Sequence, residues 1–236
     1  MNRHEEVRAE IHPQIEMVLD TVSVLAMDGV ETTRISVLDV LQRSPYAYLL
    51  PSFSSDLISE TGAALDVLHT NHVEVFDGKL AARSELFKKG NLLLSSRNIN
   101  AIFIVDPGTQ EIVWLWGPGN LTFQDHPTLL DNGNILLFDN GLDASRVVEL
   151  DPLNRKIVWQ YEADGFFSET RGSVQRLDNG NTLITESDSG YAFEVTHGGD
   201  VVWKFANPDV DAEGNRSAIW RMKRYAAAEL GFVLDK

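Results

Sequence analysis

The chain contains no cysteine. That absence excludes disulfides, thiolate metal sites and cysteine nucleophiles, and it leaves the compartment open. Positive charge is also scarce. Against 35 aspartates and glutamates there are 20 lysines and arginines, a formal net charge of −15. So acidic a chain is a poor partner for nucleic-acid phosphates or an anionic membrane, although a local basic pocket for a small anion stays compatible with it. No apolar run approaches the roughly 18 residues that a membrane-spanning helix needs. The opening residues MNRHEEVRAEIHPQ are charged and have no apolar core, which is not the pattern of a secretory leader. Low-complexity tracts and linker-like stretches are missing too, so the expectation is a single domain over residues 1–236. Histidine is sparse, with six in the whole chain.

What is present is a repeat. Three segments align: KKGNLLLSSRNINAIFIVDPGTQEIVWLW, LDNGNILLFDNGLDASRVVELDPLNRKIVWQY and LDNGNTLITESDSGYAFEVTHGGDVVWKF. Their turn glycines, Gly90, Gly133 and Gly180, are spaced 43 and 47 residues apart, and the closing Trp114, Trp159 and Trp203 are spaced 45 and 44. Each unit reads as four short strands, because Val, Ile, Leu and Trp alternate within runs bounded by Gly, Asn, Asp and Pro. In the middle unit the expected strands are His126–Leu130, Asn134–Asp139, Arg146–Leu150 and Lys156–Tyr161. Four antiparallel strands per ~40–50 residues is the pattern of a β-propeller blade. The fold expected is therefore all-β, a propeller with about three complete blades and partial flanking blades.

The expected layout is a partial blade and lead-in over 1–68, blades over 69–118, 121–162 and 171–206, and a partial blade over 217–236. Val22–Leu41 reads as two strands turning at Asp28-Gly29, with a short helix in VLDVLQRSPYAYLL stopped by Pro45. Ser52–Leu68 reads as a loop, Asp77–Lys89 as an insertion, and Ile219–Tyr225 as the first strand of a further blade. Three or four blades need not close a ring. An open edge would need covering, which leaves a homo-oligomer open.

In a propeller the first strand of each blade lines the central channel. Those strands begin here around His69-Thr70-Asn71-His72, Gln124-Asp125-His126 and Arg171-Gly172-Ser173. Histidines and arginines at equivalent places in successive blades would converge. Arg97 breaks the repeat towards charge, standing where the other units have Asn140 and Ser187.

The runs HTNHVEVF, NLLLSSRNINAIFIVDPGTQEIVWLWG, FQDHPTLLDNGNILLFDNG and RGSVQRLDNGNTLITESDSGYAFEV carry a resemblance. Over about residues 66–207 the chain resembles the arylsulfotransferase family. Its motifs here are His-x-Asn, Ser-Ser-Arg-Asn, Gln with His before Asn-Gly-Asn, and Phe-Asp-Asn-Gly. The resemblance implies a six-bladed propeller that moves sulfate from a phenolic sulfate ester to another phenol through a sulfated histidine. It implies no nucleotide donor, no cofactor and no metal. The family is mostly periplasmic, but the residues of this chain leave localisation open. Matched residue by residue, the resemblance makes His126 the nucleophile, His69 the acid–base group and Arg97 the sulfate-holding cation. Asn71, His72, Gln124 and Arg171 are the substrate-binding candidates. The family pattern places His directly after Gln. Here Asp125 intervenes, and one residue along a strand reverses the side-chain face.

That chemistry suits these side chains. A neutral imidazole attacks sulfur near neutral pH, an arginine fork holds sulfuryl oxygens, and a second histidine protonates the leaving phenolate and deprotonates the acceptor. The plainer readings are strand-starting histidines, an Arg97 that clamps blade carbonyls, tight Asp-Asn-Gly-Asn hairpin turns, and tryptophans that pack the core. His4, His12 and His197 read as solvated. Two rivals stand beside the transferase: a non-catalytic propeller that binds a ligand or protein, and a quinone-cofactor dehydrogenase, for which the sequence offers no metal and cofactor shell. His126 turned between blades would favour a structural role.

Overall fold

A computed structural model describes residues 1–9, 11, 13–50, 64–226 and 230. The chain divides into two compact units, Met1–Phe123 and Gln124–Lys236. Its regular structure is almost entirely strands in four-stranded sheets.

The first unit opens with β1 (Asn2–Val7), β2 (Glu16–Leu25) and β3 (Glu31–Ser36). The turn between β2 and β3 is the expected Asp28-Gly29 turn. The Asp28 carboxylate accepts the Val30 N–H at 3.0 Å, and Gly29 takes φ 84°. The charged opening carries no apolar alternation, yet it forms β1, because β2 offers a free edge from Glu16 to Thr21. On the other edge of β2 lies a short parallel strand, β4 (Leu65–Asp66), paired through Met17 and Val18. The helix α1 (Val37–Arg43) starts where Ser36 Oγ accepts the Asp39 N–H at 3.2 Å, and it ends just before Pro45. The stretch from 51 to 63, most of the expected Ser52–Leu68 loop, lies outside the described residues, as does His12.

The second sheet of this unit is a meander of β5 (Thr70–Val75), β6 (Leu92–Ser96), β7 (Ala101–Asp106) and β8 (Glu111–Trp116). One core joins it to the first sheet. Met17, Leu19, Val37, Leu38 and Leu41 pack with Leu92, Leu94, Phe103 and Leu115. The Asp77–Lys89 insertion folds back so that Phe87 packs on Phe76, and the Asn91 side chain donates to the carbonyls of Glu85 and Leu86.

The second unit holds two more meanders. One is β9 (Asp125–Leu129), β10 (Ile135–Asp139), β11 (Arg146–Asp151) and β12 (Lys156–Tyr161). The other is β13 (Ser173–Arg176), β14 (Thr182–Glu186), β15 (Tyr191–Val195) and β16 (Val201–Ala206). An aromatic cluster of Phe138, Tyr161, Phe166 and Phe193 fills the space between them, at centroid distances of 5.5 to 5.8 Å. Gly172 at the head of β13 is required by that packing. A Cβ there would sit 2.3 Å from the Phe138 ring.

The Asn-Gly-Asn turns are hairpins, as the spacing predicts, but they also clasp. Asn132 and Asn134 both donate to Glu149 Oε1, at 3.0 and 2.6 Å, and Asn179 and Asn181 do the same to Glu194, at 3.1 and 2.6 Å. Arg176 then reaches Glu149 Oε2 at 2.6 Å while lying over Trp159. Arg224 pairs with Glu194 in the same way, over Trp203.

Two expectations need correction. Of the three repeat tryptophans only Trp114 is core; Trp203 is 38% exposed, and Trp159 stacks on His197 and donates to its carbonyl at 2.8 Å. The outer strands β12 and β16 present these rings at the surface, so His197 has a ring partner rather than water alone. The segment Ile219–Tyr225 forms no strand. Instead it runs beside β13 and β14 on side-chain ties: Arg224 N–H to Gln175 Oε1 at 2.8 Å, and Met222 N–H to Thr185 Oγ1 at 3.1 Å.

Gly172→Ala is expected to destabilise the protein by about 1–3 kcal/mol through overpacking against Phe138, read as a lower urea midpoint. The amides of Asn181 and Asn179, with Arg224, hold the Glu194 carboxyl below its ordinary value of 4.5. Its contribution is therefore present above that value and is lost as pH falls through the lower folded value. Urea titrations from about pH 7 to about pH 3 should show a smaller loss of stability on acidification in Glu194→Gln than in the parent protein.

Candidate active site

Within the first unit, four of the candidates lie on or beside the turn that leads from β4 into β5. His69 sits immediately before β5 with φ 47°, and Phe123, just ahead of β9, has φ 58°. This left-handed step is thus shared by two blade entrances. Backbone bonds seat the turn against the end of β6. Arg97 N–H donates to His69 O at 3.1 Å, Asn98 N–H to Leu68 O at 3.1 Å, and Ser96 Oγ to Leu68 O at 2.7 Å. His69 and Arg97, predicted as partners, are therefore neighbours.

The His69 ring is held by Asp66, a residue that no motif in the sequence singled out. Asp66 Oδ1 accepts the His69 backbone N–H at 2.8 Å, and Asp66 Oδ2 lies 2.6 Å from His69 Nδ1. Burial pushes the Asp66 carboxyl up, but the His69 ring bond, the charges of His69 and Arg3 and the His69 N–H together outweigh it and hold it below its ordinary value. An ionised carboxylate only accepts hydrogen bonds. Nδ1 therefore carries a proton in either charge state of the ring, and it is the neutral form that has its lone pair on Nε2, an atom with no hydrogen-bond partner among the described residues. The ring is 39% exposed. Behind it, Arg3 on β1 contacts Asp66 at 3.5 Å and Asp20 at 2.8 Å, and the buried Asp20 accepts the Thr70 N–H at 2.7 Å. The signal in the sequence was the spacing Asp-x-x-His.

Arg97 lies with its guanidinium over the Phe123 ring, 4.2 Å from the centroid, and makes a long 3.4 Å contact to Asn98 Oδ1. Among the described residues no carboxylate lies within ion-pair distance of it, in contrast to Arg3, Arg8, Arg34, Arg146, Arg171, Arg176 and Arg224. Asn71 is an extra residue in β5, because Thr70 pairs with Ser96 and His72 with Ser95. Such a bulge re-aims its side chain. His72 stays in the ladder.

Within the second unit, β9 carries a bulge of its own. Thr128 pairs with Leu136 and Asp125 with Phe138, so His126 and Pro127 oppose Leu137 alone. His126 takes φ 51° there, a conformation uncommon for a non-glycine residue. The bulge overrides simple face alternation, so the offset between Gln124 and His126 does not by itself set the ring's direction. The ring reaches across to β13, where Nδ1 accepts the Val174 N–H at 3.4 Å. This tautomer carries its proton on Nε2, the reverse of His69. Gln124 is fully buried. Arg171 is held by Asp188 at 3.0 Å and lies over Trp220 at 4.2 Å. It can bind an anion only by giving up that pair. Among the described residues no group of three or more His, Asp or Glu has metal-holding geometry.

The sequence profile of the family described as arylsulfotransferase (ASST) matches residues 16–208. The chain belongs to the arylsulfotransferase family. No curated protein matches it. Among solved structures it is similar to virginiamycin B lyase from Staphylococcus aureus, at 15% identity over 81% of this chain and 52% of that one, with a TM-score of 0.47. It is similar to the Dos1 propeller, at 10% identity over 86% and 47%, TM-score 0.47. The β-propeller domain of Myceliophteria thermophila Cps50 (Swd1) matches at 15% identity over 84% and 55%, TM-score 0.45. The chain thus spans about half the length of these structures. The four-stranded antiparallel meanders of this family member have the form of β-propeller blades.

An arginine without a carboxylate partner should bind a small anion. Arg97→Ala is expected to weaken inorganic sulfate binding about tenfold or more in titration calorimetry, the scale of one lost charge-assisted hydrogen bond. Arg34→Ala, which removes an arginine already paired with Glu31, should leave it unchanged.

Proposed function

We propose that this family member transfers a sulfuryl group from a phenolic sulfate ester to a phenol through a sulfated histidine. The observation that carries the reading is the pairing of His69 and Arg97 in the first unit. It joins an imidazole with an open Nε2, oriented by Asp66, through a backbone hydrogen bond to an arginine whose guanidinium lies over Phe123 and is neutralised by no described carboxylate. Membership of the arylsulfotransferase family supports the reaction class.

In this reading Arg97 holds the sulfuryl oxygens, where charge accumulates in the transition state. The family pattern gives the nucleophilic role to His126. Its attack forms an N–S bond and breaks the S–O bond to the phenol. To attack through Nε2 the ring must release the Val174 N–H and carry its proton on Nδ1 instead. Giving up the 3.4 Å bond leaves the buried Val174 N–H without that acceptor, at a cost of about 1–3 kcal/mol. His69 enters this step as the imidazolium, its Nδ1 proton held by Asp66, and gives its Nε2 proton to the departing phenolate, which leaves the neutral ring with a lone pair on Nε2. The second phenol returns that proton to His69 as its oxygen takes the sulfuryl group, which restores both histidines. Donor and acceptor are chemically alike, so one set of residues serves both half-reactions in ping-pong order.

The tie between His126 and Val174 is also what a purely structural histidine would make, and it favours the rival reading of a non-catalytic binding propeller. One assay separates them. A chromogenic aryl sulfate is mixed with the protein with and without a phenol. Phenol-dependent colour release is expected, with kcat/KM falling about 10²–10³-fold in Arg97→Ala and about 10²-fold or more in His69→Ala. Peptide mapping after donor alone should find the added sulfuryl mass on His126. No release beyond a protein-free control would leave the binding propeller as the function, and release that needs no phenol would mean transfer to water and overturn the phenol acceptor.

A further inference from the structure

Asp66 is the group around His69 that the family pattern leaves without a role. It reaches the ring from β4, a two-residue strand paired in parallel with Met17 and Val18 of β2. Both its oxygens are committed, Oδ1 to the His69 backbone N–H and Oδ2 to Nδ1 of the same residue's ring. The carbonyl of Asp66 is committed too, accepting the Asn98 side-chain N–H at 2.6 Å. Arg3 and, through it, the buried Asp20 stand behind the carboxylate, so the N-terminal strand β1 forms the outer wall of this arrangement.

We infer that Asp66 is a positioning residue for sulfuryl transfer. It fixes the His69 ring in the tautomer with the proton on Nδ1, so that Nε2 presents a lone pair to the substrate phenol. The inference rests on the transfer reading for its catalytic meaning, and on geometry alone for the tautomer. The physical reason is the fork. The backbone N–H at Oδ1 requires an acceptor at that atom. The second atom of the fork is then the one that faces the ring, and its hydrogen-bonding character decides where the imidazole proton resides. With an oxygen there, Nδ1 must donate. The paired orientation also lowers the freedom of a side chain that is more than a third exposed and would otherwise sample several rotamers.

This logic makes Asp66→Asn an unusual substitution. The shape is kept, but the backbone N–H of His69 still claims the oxygen, so the amide NH₂ is turned to the ring and donates to Nδ1. The proton is thereby driven to Nε2, and the lone pair is lost from the face that meets substrate. The test is ¹⁵N–¹H NMR of the ring nitrogens on the full chain, at a pH raised until the His69 ring is neutral, with the His69 signals identified by their disappearance in His69→Gln. The parent protein should show His69 protonated on Nδ1, and Asp66→Asn should show it protonated on Nε2. In the aryl sulfate assay kcat should fall at least about tenfold in Asp66→Asn with KM little changed, since positioning rather than binding is lost.

The parent spectrum alone is decisive if the variant does not fold. His69 protonated on Nε2 in the parent would overturn the inference whatever the activity. An unaltered tautomer in a folded Asp66→Asn would overturn it as well. The expected tautomers in a protein with no phenol-dependent transfer would support the fork and overturn the transfer reading instead, so the two failures are distinguishable.

Discussion

The first strand of a four-stranded meander has a partner on one edge only. Its other backbone N–H groups must be met by something else, because a buried donor without an acceptor costs about 1–3 kcal/mol. Much of this molecule is the answer to that requirement. The Thr70 N–H at the start of β5 is met by the buried carboxylate of Asp20, and the Val174 N–H on β13 by the imidazole of His126. Just ahead of these strands the Phe123 N–H goes to Asn100 and the Thr170 N–H to Asp188. The side chains that satisfy inner edges are therefore polar, fixed and placed at the strand entrances. A structural demand of the blade thus fixes aspartate, asparagine and histidine side chains at the strand entrances of each unit. It also explains why His126 carries two readings at once, since the ring that could attack sulfur is also the acceptor for a neighbouring edge.

A second device ties each blade in the second unit to the next stretch of chain. The turn asparagines grip a glutamate on the third strand, and an arginine from the next segment closes the grip over a tryptophan. The first blade is built differently. Ile104 occupies the position of Glu149 and Glu194, since it pairs with Leu93 as those residues pair with Leu136 and Leu183. Asn91, the counterpart of Asn134, then has no carboxylate to hold and turns to the carbonyls of Glu85 and Leu86 in the insertion. The insertion thus supplies acceptors that the repeat elsewhere takes from a side chain. In the second unit the arginine completing the last clasp, Arg224, lies in a segment that forms no strand. Its position is kept by side-chain bonds to Gln175 and Thr185 rather than by a ladder.

The blades were legible because their pattern is local. Alternating apolar residues and Asn-Gly-Asn turns place the strands of the middle blade to within a residue, as Arg146–Asp151 and Lys156–Tyr161 show. The short helix was legible from its stop at Pro45, and the structure adds the Ser36 cap. What could not be read depends on partners far along the chain. The charged opening becomes β1 only because β2 has an edge to offer. The tryptophans recur at a fixed interval, but recurrence does not say that the outer strands leave Trp159 and Trp203 half in solvent. Of the candidate site, Arg97 stood out in the sequence as a break in the repeat and His69 through the His-x-Asn motif of the family resemblance. Arg171 was equally basic and equally placed, yet Asp188 and Trp220 occupy it.

By itself the sequence determined the number of full blades, their turns, the acidic surface and the membership that its motifs imply. Each of these is written in residues a few positions apart, within reach of hairpin and strand periodicity. The tertiary structure decided the rest, namely which nitrogen of a histidine faces an acceptor, which of the candidate arginines is paired with a described carboxylate, and where a bulge turns a strand. A ring's tautomer depends on the single atom facing it. For His69 that atom is Oδ2 of Asp66, set by a two-residue pairing with β2. For His126 it is the Val174 N–H, 48 residues further along the chain. No spacing in the sequence encodes either, because both arise from how strand edges are closed once the sheets have packed.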